Sequence, residues 1–211
     1  MGPVSFAAMV DMVIQPATLN GKHVRLIPLQ LEHAAMLVAH SNDEEIWRFM
    51  PFGFVNTVER MEGLISDLLQ RRARGTDLPF AIALQTADDA PAQLIGMTRF
   101  MSIERHHRGL EVGGSWLGSA FRRTACNTEA KYLLFRYAFE TLGCVRLQLK
   151  TDVRNERSQR AIERIGAVRE GILRNNMILQ DGYIRSSVYY SIIDSEWPAV
   201  RARLEAMLAA S

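Results

Sequence analysis

Residues 113–138 read GGSWLGSAFRRTACNTEAKYLLFRYA and carry the chain from the end of a strand, through a loop of small residues, into a helix. Ala130, Leu133, Leu134, Tyr137 and Ala138 recur at i, i+3, i+4, i+7 and i+8, one face of an amphipathic helix. Asn127 or Thr128 is placed to cap it, and Gly143 to end it. Between Val112 and Thr128 no acidic residue occurs, and the only charges are Arg122 and Arg123. Free backbone N–H groups and the positive end of a helix dipole favour an anion at such a mouth. Two guanidiniums beside them suit a pyrophosphate. The plainer alternative is a solvated arginine pair in an ordinary loop.

Outward from this stretch the pattern alternates between strands and helices. Upstream, residues 23–29 read as a strand, and 32–40 and 58–72 as helices. Residues 80–84, 94–101 and 111–117 then form three candidate strands of an antiparallel meander, with a turn signal at 87–91. Downstream, Val145, Leu147, Leu149 and Thr151 alternate with Arg146, Gln148, Lys150 and Asp152, the period of a half-buried strand. A helix over 156–165 follows. Two strand patterns between 176 and 193 flank Asp181-Gly182, a hairpin signal, and a last helix runs from Ser195 to about Leu208. The expectation is one α/β (α+β) domain with a mixed sheet over residues 19–193. Residues 1–18 stand as an N-terminal extension and 194–211 as a C-terminal helix.

Composition narrows the function classes. The 211 residues are 48% hydrophobic and 23% charged, an ordinary globular balance. Twenty-five Lys+Arg against twenty-three Asp+Glu leave +2, which gives no global electrostatic reason for a nucleic-acid partner. Two cysteines, Cys126 and Cys144, make no disulfide framework, and no Cys/His cluster marks a metal site. The apolar stretch from Val4 to Ile14 contains Asp11 and has no Lys or Arg before Lys22, so it lacks the positive start of a secretory signal. No window reaches the ~18 apolar residues of a membrane span. A cytoplasmic protein with no membrane or nucleic-acid partner is expected, a homodimer being left open.

The run from Arg122 to Lys131, followed by Leu147–Thr151 and Asn155-Glu156-Arg157-Ser158, resembles the GNAT N-acetyltransferase superfamily, and within it the branch of ribosomal-protein N-terminal acetyltransferases. The resemblance implies a GNAT-like fold, acetyl-CoA as cosubstrate, no metal, and an amine acceptor, either a protein N-terminus or a small molecule. It implies that the strand carrying Trp116 and Leu117 splays from the next strand to admit pantetheine. The loop Arg122, Arg123, Thr124, Ala125, Cys126 and Asn127, with Thr128, would cradle the pyrophosphate, while Asn155 and Ser158 face the pantetheine arm. Two departures stand out. The family's phosphate loop reads Gln/Arg-x-x-Gly-x-Gly/Ala, whereas Ala120, Arg123 and Ala125 occupy its three fixed positions here. The tyrosine that protonates the departing thiolate in many members is replaced by Ile162.

Candidate chemistry follows from these placements. Ser158 shares a helix face with Ala161, Ile162 and Ile165 and is a hydrogen-bond donor for the sulfur, or else a local cap. Glu111 is the candidate base for the amine proton, directly or through water, or else a surface carboxylate beside Arg105 or Arg108. Arg164 is a candidate for the nucleotide's 3′-phosphate, and Arg157 and Arg160 read as a solvated face. Backbone N–H groups near Trp116 or Leu117 would polarise the thioester. Cys126 reads as a packing residue, and His106 and His107 as solvated. Trp47, Phe49, Phe52 and Phe54 are core residues or the walls of an acceptor pocket. The expected activity is acetyl transfer to an amine in a ternary complex. Its alternatives are a non-catalytic acyl-CoA-binding module and transfer of a larger acyl group such as succinyl.

Overall fold

The computed structural model describes residues 12–85 and 93–210; the turn signal at 87–91 and most of the N-terminal extension lie outside the described residues. The chain runs through β1 (Leu19–Asn20), β2 (Val24–Pro28), α1 (Ala34–Val38), α2 (Glu44–Trp47), α3 (Val58–Ala73), β3 (Leu78–Leu84), β4 (Leu94–Glu104) and β5 (Gly109–Leu117). It continues through α4 (Ala125–Arg136), β6 (Arg146–Asp152), α5 (Glu156–Arg164), β7 (Val168–Ile178), β8 (Ile184–Ile193) and α6 (Trp197–Ala209). The strands form one mixed sheet in the order β1-β2-β3-β4-β5-β6-β8-β7. The expected α/β fold with a meander, a helical crossover and a closing hairpin is what the chain adopts. The crossover through α4 makes β5 and β6 the parallel pair, since a strand returning after a helix must re-enter in the same direction.

Helices cover both faces of the sheet, and β3 shows why. Its period-two alternation sends Phe80 and Ile82 into one core and Ala81 and Ala83 into the other. The first core takes Ala130, Leu133 and Leu134 of α4 and Trp197, Val200 and Leu204 of α6. The second takes Met61, Leu64, Ile65 and Leu68 of α3, the face its spacing predicted. Met12 is buried in the first core, so the described end of the N-terminal extension packs on the domain. The C-terminal helix does so too, through residues at i, i+3 and i+7.

Several boundaries differ from the sequence reading for local reasons. Helix α4 begins at Ala125 and is capped by Thr124, whose Oγ1 accepts from the Cys126 N–H at 3.3 Å; Asn127 and Thr128 lie inside its first turn. Its last α-helical residue is Arg136, and a wider π turn over Tyr137–Thr141 carries it towards Gly143. The short α2 went unread because four residues leave no periodicity; Asp43 caps it by accepting from the Glu45 N–H at 3.0 Å. Strand β7 starts at Val168 rather than 176: it is an edge strand, largely exposed and without alternation.

One buried carboxylate fastens the start of the sheet to the central helix. Glu129 of α4 accepts the backbone N–H groups of Lys22, His23 and Val24 at 2.8, 2.6 and 2.7 Å. The β1–β2 turn folds over it so closely that a Cβ at Gly21 would lie 2.5 Å from the Glu129 Cδ. Removing the acceptor leaves three donors without a partner. Glu129→Ala is therefore expected to cost about 3 kcal/mol in urea unfolding, and Glu129→Gln, which keeps one acceptor oxygen, less. A loss below about 1 kcal/mol for the alanine variant would show that water replaces the brace.

Candidate active site

The parallel pair β5–β6 is in register at only three positions: Gly109 with Arg146, Leu110 with Leu147 and Glu111 with Gln148. Beyond Glu111 and Gln148 the strands part, and a cleft of about 1180 Å³ opens between them. A bulge re-aims the free part of β5. Met97 pairs with Trp116 and Arg99 with Gly113, so two residues of β5, Gly114 and Ser115, oppose Thr98 alone. Gly114 makes this possible at φ +58°, and a Cβ there would sit 3.3 Å from the Arg99 guanidinium carbon. Across the ladder, a Cβ on Gly96 would lie 2.0 Å from the Trp116 carbonyl oxygen, so the two strands approach closely beside the bulge.

The N-terminus of α4 forms one end of the cleft. After Leu117 the chain makes a 3-10 turn over Ser119–Phe121, and Thr124 Oγ1 donates to the Phe121 carbonyl at 2.8 Å while capping the helix. Arg123, standing where the family has its first glycine, holds φ +60°. The loop thus keeps the left-handed backbone that glycine would supply, at a cost of about 1–2 kcal/mol for a residue with a Cβ. Arg122, Arg123, Thr124, Ala125, Asn127 and Thr128 all line the cleft. Cys126 does not: its thiol is in the hydrophobic core, and its N–H is spent on the Thr124 cap.

The arginines at this end divide into held and unheld groups. Arg122 is paired with Asp43 at 3.0 Å. Arg164 reaches from α5 to the Thr128 hydroxyl at 3.3 Å, bridging the two helices. Arg157 and Arg160, read as a solvated face, are exposed but also line the cleft, and Arg160 pairs with Glu156 at 3.1 Å.

Along the walls, the two alternatives raised for Ser158 are separated. Asn155 caps α5, its Oδ1 accepting the Ser158 N–H at 3.0 Å. The Ser158 hydroxyl itself meets no hydrogen-bond partner among the described residues and lines the cleft. Trp116 and Leu117 also line it, and the buried Trp116 indole N–H has no acceptor among the described residues. Glu111 is not the surface carboxylate beside Arg105 or Arg108. It is 2% exposed at the last paired position, and its Oε2 accepts from Lys150 Nζ at 3.0 Å and Gln148 Nε2 at 3.1 Å. Phe49 and Phe52 wall the same end of the cleft, whereas Trp47 is core, its ring tilted against Trp116 at 5.4 Å. His106 and His107 are exposed.

Lys131 escaped the sequence reading because it sits among apolar residues on α4 and belongs to no motif. Its Nζ donates to Ser115 Oγ at 2.7 Å, and Ser115 Oγ shares a second hydrogen bond of 2.7 Å with Thr98 Oγ1. Burial without a carboxylate partner pushes its ammonium down to about 8.

Comparison with known proteins places this architecture. The profile of the "Acetyltransferase (GNAT) domain" matches residues 23–168. The chain belongs to the GNAT acetyltransferase family. A crystal structure from T. thermophilus, described as that of an acetyltransferase, superposes with a TM-score of 0.83 at 41% identity, covering 93% of this chain and all of that one. YdaF of Bacillus subtilis strain 168, for which ribosomal N-acetylation is proposed, is 34% identical over 104 residues. That match takes in 49% of this chain and 56% of YdaF, so the chain spans little more than half the length of this relative. The structure of Mycobacterium smegmatis RimJ with CoA-disulfide shares the GNAT fold at a TM-score of 0.76 and 21% identity, covering 91% of this chain and 95% of RimJ. Among the described residues no helix is long and apolar enough to cross a membrane.

The depressed Lys131 ammonium has a measurable consequence. Its folded value lies below the ordinary 10.5, so the unfolded chain holds the extra proton between about pH 8 and 10.5. Stability contributed by this group therefore rises with pH through that window. Lys131→Met is expected to unfold at higher urea than the wild type at pH 7, by up to about 3 kcal/mol, and the advantage should shrink towards pH 10. Parallel stability curves from pH 7 to 10 would place the ammonium in contact with water.

Proposed function

We propose that the protein moves an acetyl group from acetyl-CoA to a primary amine by direct attack within a ternary complex. The observation that carries this reading is the parting of β5 from β6, which opens a cleft running from a buried carboxylate to the N-terminus of α4. Strand β5 has no strand partner on that side beyond Glu111, so its backbone suits the amides of a pantetheine arm lying beside it. The mouth of α4, with Arg123 and Arg164, suits the phosphates. The fit of CoA to this groove is supported by the RimJ complex, which shares the fold.

In the reaction the neutral amine nitrogen forms a bond to the thioester carbonyl carbon, and the carbon–sulfur bond breaks. The amine loses one proton and the departing thiolate gains one. Glu111 is suited to receive the first, directly or through water. Its Oε1 has no hydrogen-bond partner among the described residues, while Lys150 and Gln148 hold Oε2 and favour the ionised form. Near the thiolate, the uncommitted Ser158 hydroxyl is a donor to sulfur. Lys131, close to the bulge, adds positive charge in a dry wall where charge acts strongly. The acceptor is a small amine or a protein N-terminus, the latter in keeping with the activity proposed for YdaF.

Thiol release from acetyl-CoA with a panel of amines tests the reading; CoA binding without release for any acceptor would leave a binding module. Glu111→Gln should lower kcat/KM by about 100-fold and flatten its acid limb. Arg123→Gly keeps the loop's backbone and removes one charge. It should raise KM for acetyl-CoA several-fold, leave kcat within about twofold and leave the affinity for acetyl-pantetheine unchanged. Equal losses for both donors would remove the phosphate role.

A further inference from the structure

The acceptor end of the cleft holds a cluster of buried ions whose pairing does not close. Arg99 of β4 lies 3.1 Å from Asp77, Lys150 of β6 lies 3.0 Å from Glu111, and Arg154 lies 2.8 Å from Asp152. Arg185 of β8 is the remaining cation. It is 5% exposed, lines the cleft, and among the described residues has no carboxylate within 4.0 Å. The carboxylates that act on it from farther away, Asp152 and Glu111, are already engaged by Arg154 and Lys150.

Two neutral oxygens hold the guanidinium in place. Its Nε donates to Ser187 Oγ at 3.0 Å and its Nη1 to the Phe49 carbonyl at 2.9 Å. Ser187 is fixed in turn by donating to Asn176 Oδ1 at 2.8 Å. These bonds use two of the five N–H donors of an arginine fork, and the other three have no partner among the described residues. A latch between two neutral oxygens requires no charge, and burying an unpaired charge costs several kcal/mol. The residue is therefore oriented without being neutralised, in a wall of the cleft where an acceptor would enter.

Building on the transferase reading, we propose that the acceptor is an amine carrying a carboxylate, which Arg185 receives. One unmatched guanidinium balances one negative charge, and its planar fork suits a carboxylate held by two parallel bonds. Glu111, of opposite sign, faces the same cleft. A molecule with an amine and a carboxylate a few atoms apart would lay its nitrogen towards Glu111 and its anion towards Arg185. Either a free amino acid, through its main-chain carboxylate, or a peptide N-terminus with an acidic first side chain supplies this pairing.

Matched acceptors test the proposal through thiol release from acetyl-CoA. One arm compares free amino acids with their amides, and a second compares peptides beginning with Asp or Glu with those beginning with Asn or Gln. In at least one arm the carboxylate member should exceed its amide at least tenfold in kcat/KM. Arg185→Gln should bring that ratio to within about threefold of one, and Arg185→Lys should restore part of it. A purely structural role for Arg185 would slow both members alike and leave the ratio unchanged. Amides used as well as carboxylates by the wild-type protein would overturn the carboxylate site while leaving the transferase standing. Should no amine release thiol, the transferase reading fails. Calorimetric titration of the CoA-loaded protein with the same pairs then decides the anion site: tighter binding of the carboxylate member upholds it, and equal binding ends it.

Discussion

Everything functional in this molecule depends on where one parallel strand pair stops. Strands β5 and β6 share three register positions and then part, because the bulge at Gly114 and Ser115 turns β5 away while β6 keeps its course against β8. A backbone edge left without a strand partner must meet water or a ligand, since an orphaned amide in a dry wall is costly. The sheet is held on either side of this opening. The β4 ladder supports one lip and the β8 ladder the other, so the gap does not close by slipping. Helices α4 and α5 then present their first turns to the same space, one through the loop after β5 and the other through the loop after β6.

The charges near the opening divide by whether a partner within the chain neutralises them. Glu129 and Asp152 are buried acids fully engaged by donors, and they serve the fold. Glu111 is engaged on one oxygen only and stands at the fork itself. Lys131 and Arg185 are buried cations without a carboxylate in contact, and both line the cleft. A fold selected for stability alone has no use for uncompensated buried charge, because apolar residues of similar volume pack as well without the desolvation cost. Their presence in the walls of one groove gives the groove a chemical character that its shape does not.

Much of this was legible in the sequence. The amphipathic face of α4, the alternation of β6 and the turn residues around Asp181-Gly182 each report a local preference, and each element forms where those preferences point. The acid-free stretch with Arg122 and Arg123 did mark the helix mouth. What the sequence could not show was the start of that helix. The left-handed backbone at Arg123, a residue that seldom adopts it, passes the cap to Thr124 three residues ahead of Asn127. Lys131 was invisible for a related reason: a lone lysine on a helix face is ordinarily solvated, and only the sheet packed over it removes the water.

The sequence by itself determined the periodicities, the turns, and hence the order of strands and helices, because these follow from contacts among residues a few positions apart. It also determined the residue types available for chemistry. The tertiary structure alone decided which of them face one another. Glu111 reads as a surface carboxylate until β6 brings Lys150 and Gln148 against it, and Ser158 reads as its own cap until Asn155 takes that role and leaves the hydroxyl to the cleft. Burial and pairing are properties of residues distant in the chain, and they change the energy of a charge far more than any neighbour in sequence does.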